Sequence, residues 1–286
     1  MLALGLGLTA ALIWAVHDLL ARKLSQSAAL LPIVLLVLAS GSAVLLVPAL
    51  AWGEWARITP RAGLLAAAAG LAFAVAIGSL FRAFSIAPAR IVSPIIGAYP
   101  VMSLAIAAAQ GRPVTTVDWL AVTAVVAGIA IVSIRRDDRV ALSHPAALPL
   151  PAMGWSFLSA CAFSATFAFG QEAARQAADL PAILITRVVA TLIIAALFVR
   201  MRSSARSLQG NWGVIAAMGA ADAVALSLVT AAGGLPQAEY ASVSASLFGV
   251  GTILLASVFL NERLHPLQWA GVVTVFAGIA TLSLQA

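Results

Sequence analysis

Charge is what this sequence has least of. Aspartate, glutamate, lysine and arginine together make up 9% of its 286 residues, where a soluble globular chain carries about a quarter. Whole stretches have none: Met1 to Val16, Ala28 to Gly53, Ile91 to Gln110 and Trp119 to Ile134. Cysteine occurs once, as Cys161, so no internal disulfide can form. Histidine occurs three times, at 17, 144 and 265, and neither HExxH nor GxSxG is present, which argues against an integral membrane enzyme. The absence of a P-loop argues against direct use of ATP. No basic stripe interleaved with aromatics is present, which argues against nucleic-acid binding. The N-terminus, MLALGLGLTAALIWAV, lacks a basic leader region and a small-residue cleavage site, so it reads as a retained first span.

Hydrophobic residues, at 63%, fill the space that charge leaves. A helix needs about 20 apolar residues to cross roughly 30 Å of hydrocarbon. Cutting at proline, glycine and charge clusters predicts ten spans, near 2–21, 31–51, 62–84, 89–109, 117–134, 152–174, 181–199, 212–233, 238–259 and 266–284. The runs are too long and too evenly apolar for barrel strands, so the expected class is an all-α integral membrane protein.

The chain also repeats itself. WLAVTAVVAGIAIVSI (119–134) and WAGVVTVFAGIATLSL (269–284) share the Trp, two Val, the Ala-Gly-Ile-Ala run and a Ser in register. Gly63-Leu-Leu-Ala-Ala matches Gly213-Val-Ile-Ala-Ala, Pro32 matches Pro181, and Tyr99-Pro-Val matches Phe248-Gly-Val. This predicts two five-helix repeats, residues 1–136 and 152–286, joined by a linker at 137–151 with its charges and prolines. An odd number of spans per repeat forces opposite insertion, the architecture of secondary transporters with a site at the repeat interface.

FSIAPARIVSPIIGAYPVMSL (84–104) with the following GRPVTTVDWLAVTAVVAGIAIV resembles the second part of an EamA domain of the drug/metabolite transporter superfamily. AEYASVSASLFGVGTILLASVFLNERLHPLQWAGVVTVFAGIATL (238–282) is closer to that pattern, with its Asn261-Glu262-Arg263 turn. The first copy departs from it at Gly111-Arg112, where an acidic residue is usual. Within the superfamily the likeness is to the YddG-type branch of amino-acid exporters. It implies ten helices arranged as a basket around a central cavity, in a bacterial-type inner membrane.

Basic residues favour the odd-numbered loops, with Arg22, Lys23, Arg90, Arg135, Arg136, Arg139, Arg200, Arg202, Arg206 and Arg263 against Arg57, Arg61, Arg112 and Arg175 in the even ones. By the positive-inside rule both termini are expected to be periplasmic.

Few residues inside the spans can carry chemistry. Asp222 stands near the middle of the eighth span, where a carboxylate costs about 2.5–3.5 kcal/mol to insert and so should face a cavity or a partner. It reads as a proton carrier, a counter-ion for a substrate amine, or a carboxyl tying helices together. Arg187 is the best internal cation, for a substrate carboxylate or for an acid. Arg82 lies close to a span end and can snorkel. His17 and Asp18, at the predicted end of the first span, read as a pH-sensitive gate or as an interfacial anchor. Tyr99 and Phe248 occupy matching positions, each before a helix-disturbing residue, Pro100 and Gly249, which mark hinges. Either aromatic could stack on a substrate or simply pack. Trp14 and Phe163 are further wall candidates. Trp52, Trp55, Trp119, Trp155, Trp212 and Trp269 fall at span ends, where an aromatic belt belongs. Ala124 with Gly128, and Thr274 with Gly278, are small-xxx-small pairs that assign spans five and ten to the scaffold or to a dimer contact.

The expected function is export of small metabolites by alternating access. A mostly apolar, aromatic cavity fits neutral and aromatic amino acids best, with amphiphilic drugs as the alternative. Nucleotide sugars and phosphate esters would need convergent Lys or Arg. Energy would come from the substrate gradient or from protons. The expected partners are a small-molecule substrate and the bilayer, with no catalytic residue, metal, cofactor or nucleic acid. The oligomeric state is left open, a monomer being compatible with the pattern.

Overall fold

The structure is a computed structural model that describes residues 1–25, 29–87, 92, 95–111, 113–133, 150–208, 210–259 and 266–283. The linker segment 137–149, the Asn261-Glu262-Arg263 turn, His144, His265, Arg90, Arg112, Arg135, Arg136 and Arg139 lie outside the described residues, as do the side chains of Arg22 and Arg206. Helices account for nearly everything else: α1 (Leu2–Ser25), α2 (Leu30–Trp52), α3 (Pro60–Ile86), α4 (Tyr99–Ala109), α5 (Thr116–Ser133), α6 (Leu150–Gln176), α7 (Asp179–Arg200), α8 (Trp212–Ala231), α9 (Glu239–Ala245), α10 (Phe248–Phe259) and α11 (Pro266–Ser283). α1, α2, α3, α6, α7 and α8 are long and apolar enough to cross a bilayer. The six tryptophans expected at span ends are all at least 36% exposed, as belt residues are.

Local sequence starts and stops these helices. Thr59 accepts from the Ala62 amide and Pro60 occupies the first turn of α3, so the helix opens with a cap and a preset φ. Thr115 and Asp118 form a reciprocal box at the start of α5. The Asp118 carboxylate accepts from the Thr115 amide at 2.7 Å, and the Thr115 hydroxyl accepts from the Asp118 amide at 3.2 Å.

The packing follows pairs of helices from the two halves of the chain. α3 lies against α6 and α7, α1 against α8, α9 and α10, α2 against α7 and α8, and α5 against α11. Along α2 and α7, residues far apart in the chain touch one another. Arg187 donates to the carbonyl of Val37, 150 positions away, at 3.4 Å. The hydroxyls of Ser42 and Thr191, 149 positions apart, are 3.0 Å from each other. The small residues of spans five and ten also meet. A Cβ on Gly128 would fall 2.5 Å from a Val275 methyl, and one on Gly278 would fall 2.8 Å from the Ala121 carbonyl. The two glycines therefore hold α5 and α11 at close approach.

Two features differ from the sequence reading. The ninth span is not one helix: α9 ends at Ala245, Ser246 and Leu247 form a turn, and α10 starts at Phe248. Serines account for the break. Ser242, Ser244 and Ser246 donate to the carbonyls of Glu239, Tyr240 and Val243, while the Ser246 amide is divided between Ser242 and Val243 at 3.3 and 3.2 Å. The fourth span turns in the same way at Gly97–Ala98, immediately before α4. Pro100 and Gly249 therefore sit in first turns, where a proline costs no helical hydrogen bond, and the chain turns just ahead of them. The second difference is α1, which continues to Ser25. His17 and Asp18 are thus interior residues, 3% and 4% exposed, and not a span-end anchor.

Candidate central site

α1, α3, α4, α6, α8 and α10 line one cavity at the centre of the bundle. Its wall is aromatic: Trp14, Phe73, Tyr99, Phe163, Phe167 and Phe248, with Ile77 and Leu80 beside them. Phe167 stands at the centre. Its ring centroid lies 5.9 Å from that of Trp14, 5.4 Å from that of Tyr99 and 6.0 Å from that of Phe163. These are contact distances, so the cage is closed upon itself.

Polar groups reach the same space. Asp222 accepts from the indole Nε1 of Trp14 at 2.8 Å through one oxygen and from Arg187 Nη1 at 2.8 Å through the other. Arg187 is fully buried, and its guanidinium carbon stands 5.6 Å from the centroid of the Phe73 ring. Its place exists because residue 41 is glycine: a Cβ there would fall 2.0 Å from Arg187 Nη2. The sequence reading had two roles for Arg187, and the structure pairs it with an acid. Arg187 is not part of the cavity wall; it lies behind Asp222.

His17 sits one turn beyond Trp14 on the same face of α1. Its Nδ1 lies 3.2 Å from an oxygen of Asp18, and Phe81 of α3 meets the ring edge-on at 6.3 Å. Its Nε2 has no hydrogen-bond partner among the described residues, yet it is buried at the cavity wall. Asp222 is thus not alone in depth, because Asp18 shares the cavity with it.

Tyr99 has a second task. Its hydroxyl donates to the Ser242 carbonyl at 2.7 Å, tying α4 to the broken ninth span, while Ser164 of α6 donates to the Tyr99 carbonyl at 3.0 Å. Of the candidates named from sequence, Trp14, His17, Asp18, Tyr99, Phe163, Asp222 and Phe248 line one cavity, Arg187 stands behind it, and Pro100 and Gly249 adjoin its wall residues. Phe73 and Phe167 were missed. The spacing of Phe163 and Phe167, four residues apart on α6, was the available signal. Among the described residues, no group of three His, Cys, Asp or Glu side chains could hold a metal.

A membrane-embedded helical fold enclosing an aromatic cavity with buried, paired charges defines a multi-pass membrane protein built to enclose a small molecule. The sequence model of the EamA-like transporter family matches residues 1–134 and again 150–284. The chain belongs to that family, within the drug/metabolite transporter superfamily, and is a membrane transporter of small molecules. A solved crystal structure superposes with a TM-score of 0.80 over 99% of this chain and 97% of its own, at 17% sequence identity. At that identity the likeness carries the fold alone. No curated protein matches the chain.

Proposed function

We propose that this protein is a secondary transporter that exports small amphiphilic metabolites by alternating access, with neutral and aromatic amino acids as the first class to test. The observation that carries the reading is the composition of the central cavity. Trp14, His17, Asp18, Phe73 and Tyr99 come from one half of the chain, and Phe163, Phe167, Asp222 and Phe248 come from the other. A site shared between halves can open to either side as they rock.

The halves are read as inverted five-helix repeats, with ten spans in all. The double family match and the contact between Ser42 and Thr191, which stand at the same offset as Pro32 and Pro181, support this, because residues near a two-fold axis meet their own counterparts. The charge distribution supports periplasmic termini in a bacterial-type inner membrane. The turns before Tyr99 and Phe248 supply hinges beside the cavity. His17, with its unpartnered Nε2, and Asp18 are the groups through which protons would couple to transport.

The test is counterflow in proteoliposomes. Vesicles loaded with one unlabelled amino acid should take up the same labelled compound saturably and return it chemically unaltered. If folded protein exchanges none of a panel of neutral and aromatic amino acids and amphiphilic amines, the reading is wrong.

A further inference from the structure

Two further cavities share wall residues with the central one. Phe167 lines both the central cavity and the second, which is also lined by Ser103, Gln110, Gln171 and Glu239. Glu239 in turn lines that second cavity and a third, wider one beside Asp118, Arg175 and Tyr240. The third cavity lies beside the turn between α8 and α9, lined there by Gly233, Leu235 and Gln237.

Acids predominate among the described charged residues that line these cavities. Asp18 and Asp222 face the central cavity, Glu239 the second, and Asp118 and Glu239 the third. Of the described basic residues, only Arg175 lines any of the three, and it holds Glu172 at 2.8 Å. Among the described residues, Arg187 is the cation beside Asp222. Its two terminal nitrogens face Asp222 and the Val37 carbonyl, its Nε has no partner among the described residues, and it lies at 0% exposure behind the wall. Glu239 and Asp118 are themselves buried, at 7% and 4%.

We infer that the solute this cavity carries is an aryl-bearing organic cation, recognised through its ammonium group by the aromatic cage and by Asp18 and Asp222, and that a carboxylate on the solute is a liability. This rests on the central cavity being the transport site, as proposed above. A cation stripped of water in an apolar cavity is stabilised by ring faces and by carboxylates. An α-carboxylate entering the same space meets Asp18 and Asp222 at the wall, while the Arg187 guanidinium stands behind Asp222 and outside the lining, and like charges at close range are costly. Asp18 is held at the wall by His17, whose Nδ1 lies 3.2 Å from its carboxylate.

The test compares three probes of similar size in counterflow by wild-type proteoliposomes: labelled phenethyltrimethylammonium, phenylalanine and phenylpropionate. The first is permanently charged, so no neutral form leaks through the bilayer. The expected result is saturable exchange of the quaternary cation with a half-saturating concentration at least about ten-fold below that of phenylalanine, and no competition by phenylpropionate. Asp18→Asn should weaken the cation more than phenylalanine. Phenylalanine exchanged as tightly as the cation would overturn the inference and leave the transporter reading standing. Exchange of neither probe by folded protein would overturn both.

Discussion

The Arg187–Asp222 pair offers a quantitative test of how the centre is held together. Asp222→Ala removes the acceptor of two hydrogen bonds, each 2.8 Å long, from Trp14 and Arg187. It leaves a guanidinium at 0% exposure without a counter-charge. Removing one partner of a buried ion pair costs about 3–5 kcal/mol. An unsatisfied indole N–H adds about 1–3 kcal/mol unless water reaches it. Arg187→Met should cost a similar amount, because it strands the carboxylate and loses the contact with Phe73. The double variant Arg187→Met with Asp222→Leu removes both charges and keeps the volume, so it should cost far less than the sum, with a coupling of about 3 kcal/mol or more. The assay is equilibrium unfolding of the purified protein in mixed micelles, followed for the four members of the cycle. If Asp222→Ala costs less than about 1 kcal/mol, or if the two single costs add in the double variant, the pair is not the buried ion pair described.

Two further outcomes follow from the packing. Gly278→Leu should destabilise by about 1–3 kcal/mol or more, because even its Cβ would lie 2.8 Å from the Ala121 carbonyl, whereas Gly5→Leu, with nothing within 4 Å, should be tolerated in the same unfolding assay. Tyr240→Phe removes a donor to Asp118, which keeps the Thr115 amide and hydroxyl, so the loss should be about 1–2 kcal/mol by unfolding, with the helices otherwise unchanged by circular dichroism.

Intramembrane charge made Asp222 and Arg187 conspicuous in the sequence, but their pairing was not legible, since residues 35 positions apart on separate helices give no sign that they face each other. Asp18 was hidden for the opposite reason. It stands close to Arg22 and Lys23, so the cluster reads as the end of a span, and only the extra turns of α1 carry it inside. The aromatic cage was half legible. Tyr99 and Phe248 are marked by the repeat and Trp14 by its distance from any span end, whereas Phe73 and Phe167 sit in alanine-rich runs where a buried ring facing a cavity and one facing a helix have the same pattern. The break in the ninth span left a clue in its alternating serines, ASVSAS, whose hydroxyls compete for backbone carbonyls. The Tyr240–Asp118 contact, between chain segments 122 positions apart, left none.

The central claim is that solute passes through the cavity at Phe167 and Asp222, reached in turn from each side. It is tested most directly by placing a single cysteine on the wall, Ile77→Cys in a Cys161→Ser background, in sealed vesicles of both orientations. Alternating access predicts that a membrane-impermeant thiol reagent labels this cysteine from either face, that labelling stops transport, and that transported solute slows the labelling. Transport that continues after complete labelling, or solute that leaves labelling unchanged while it is being carried, would contradict the account.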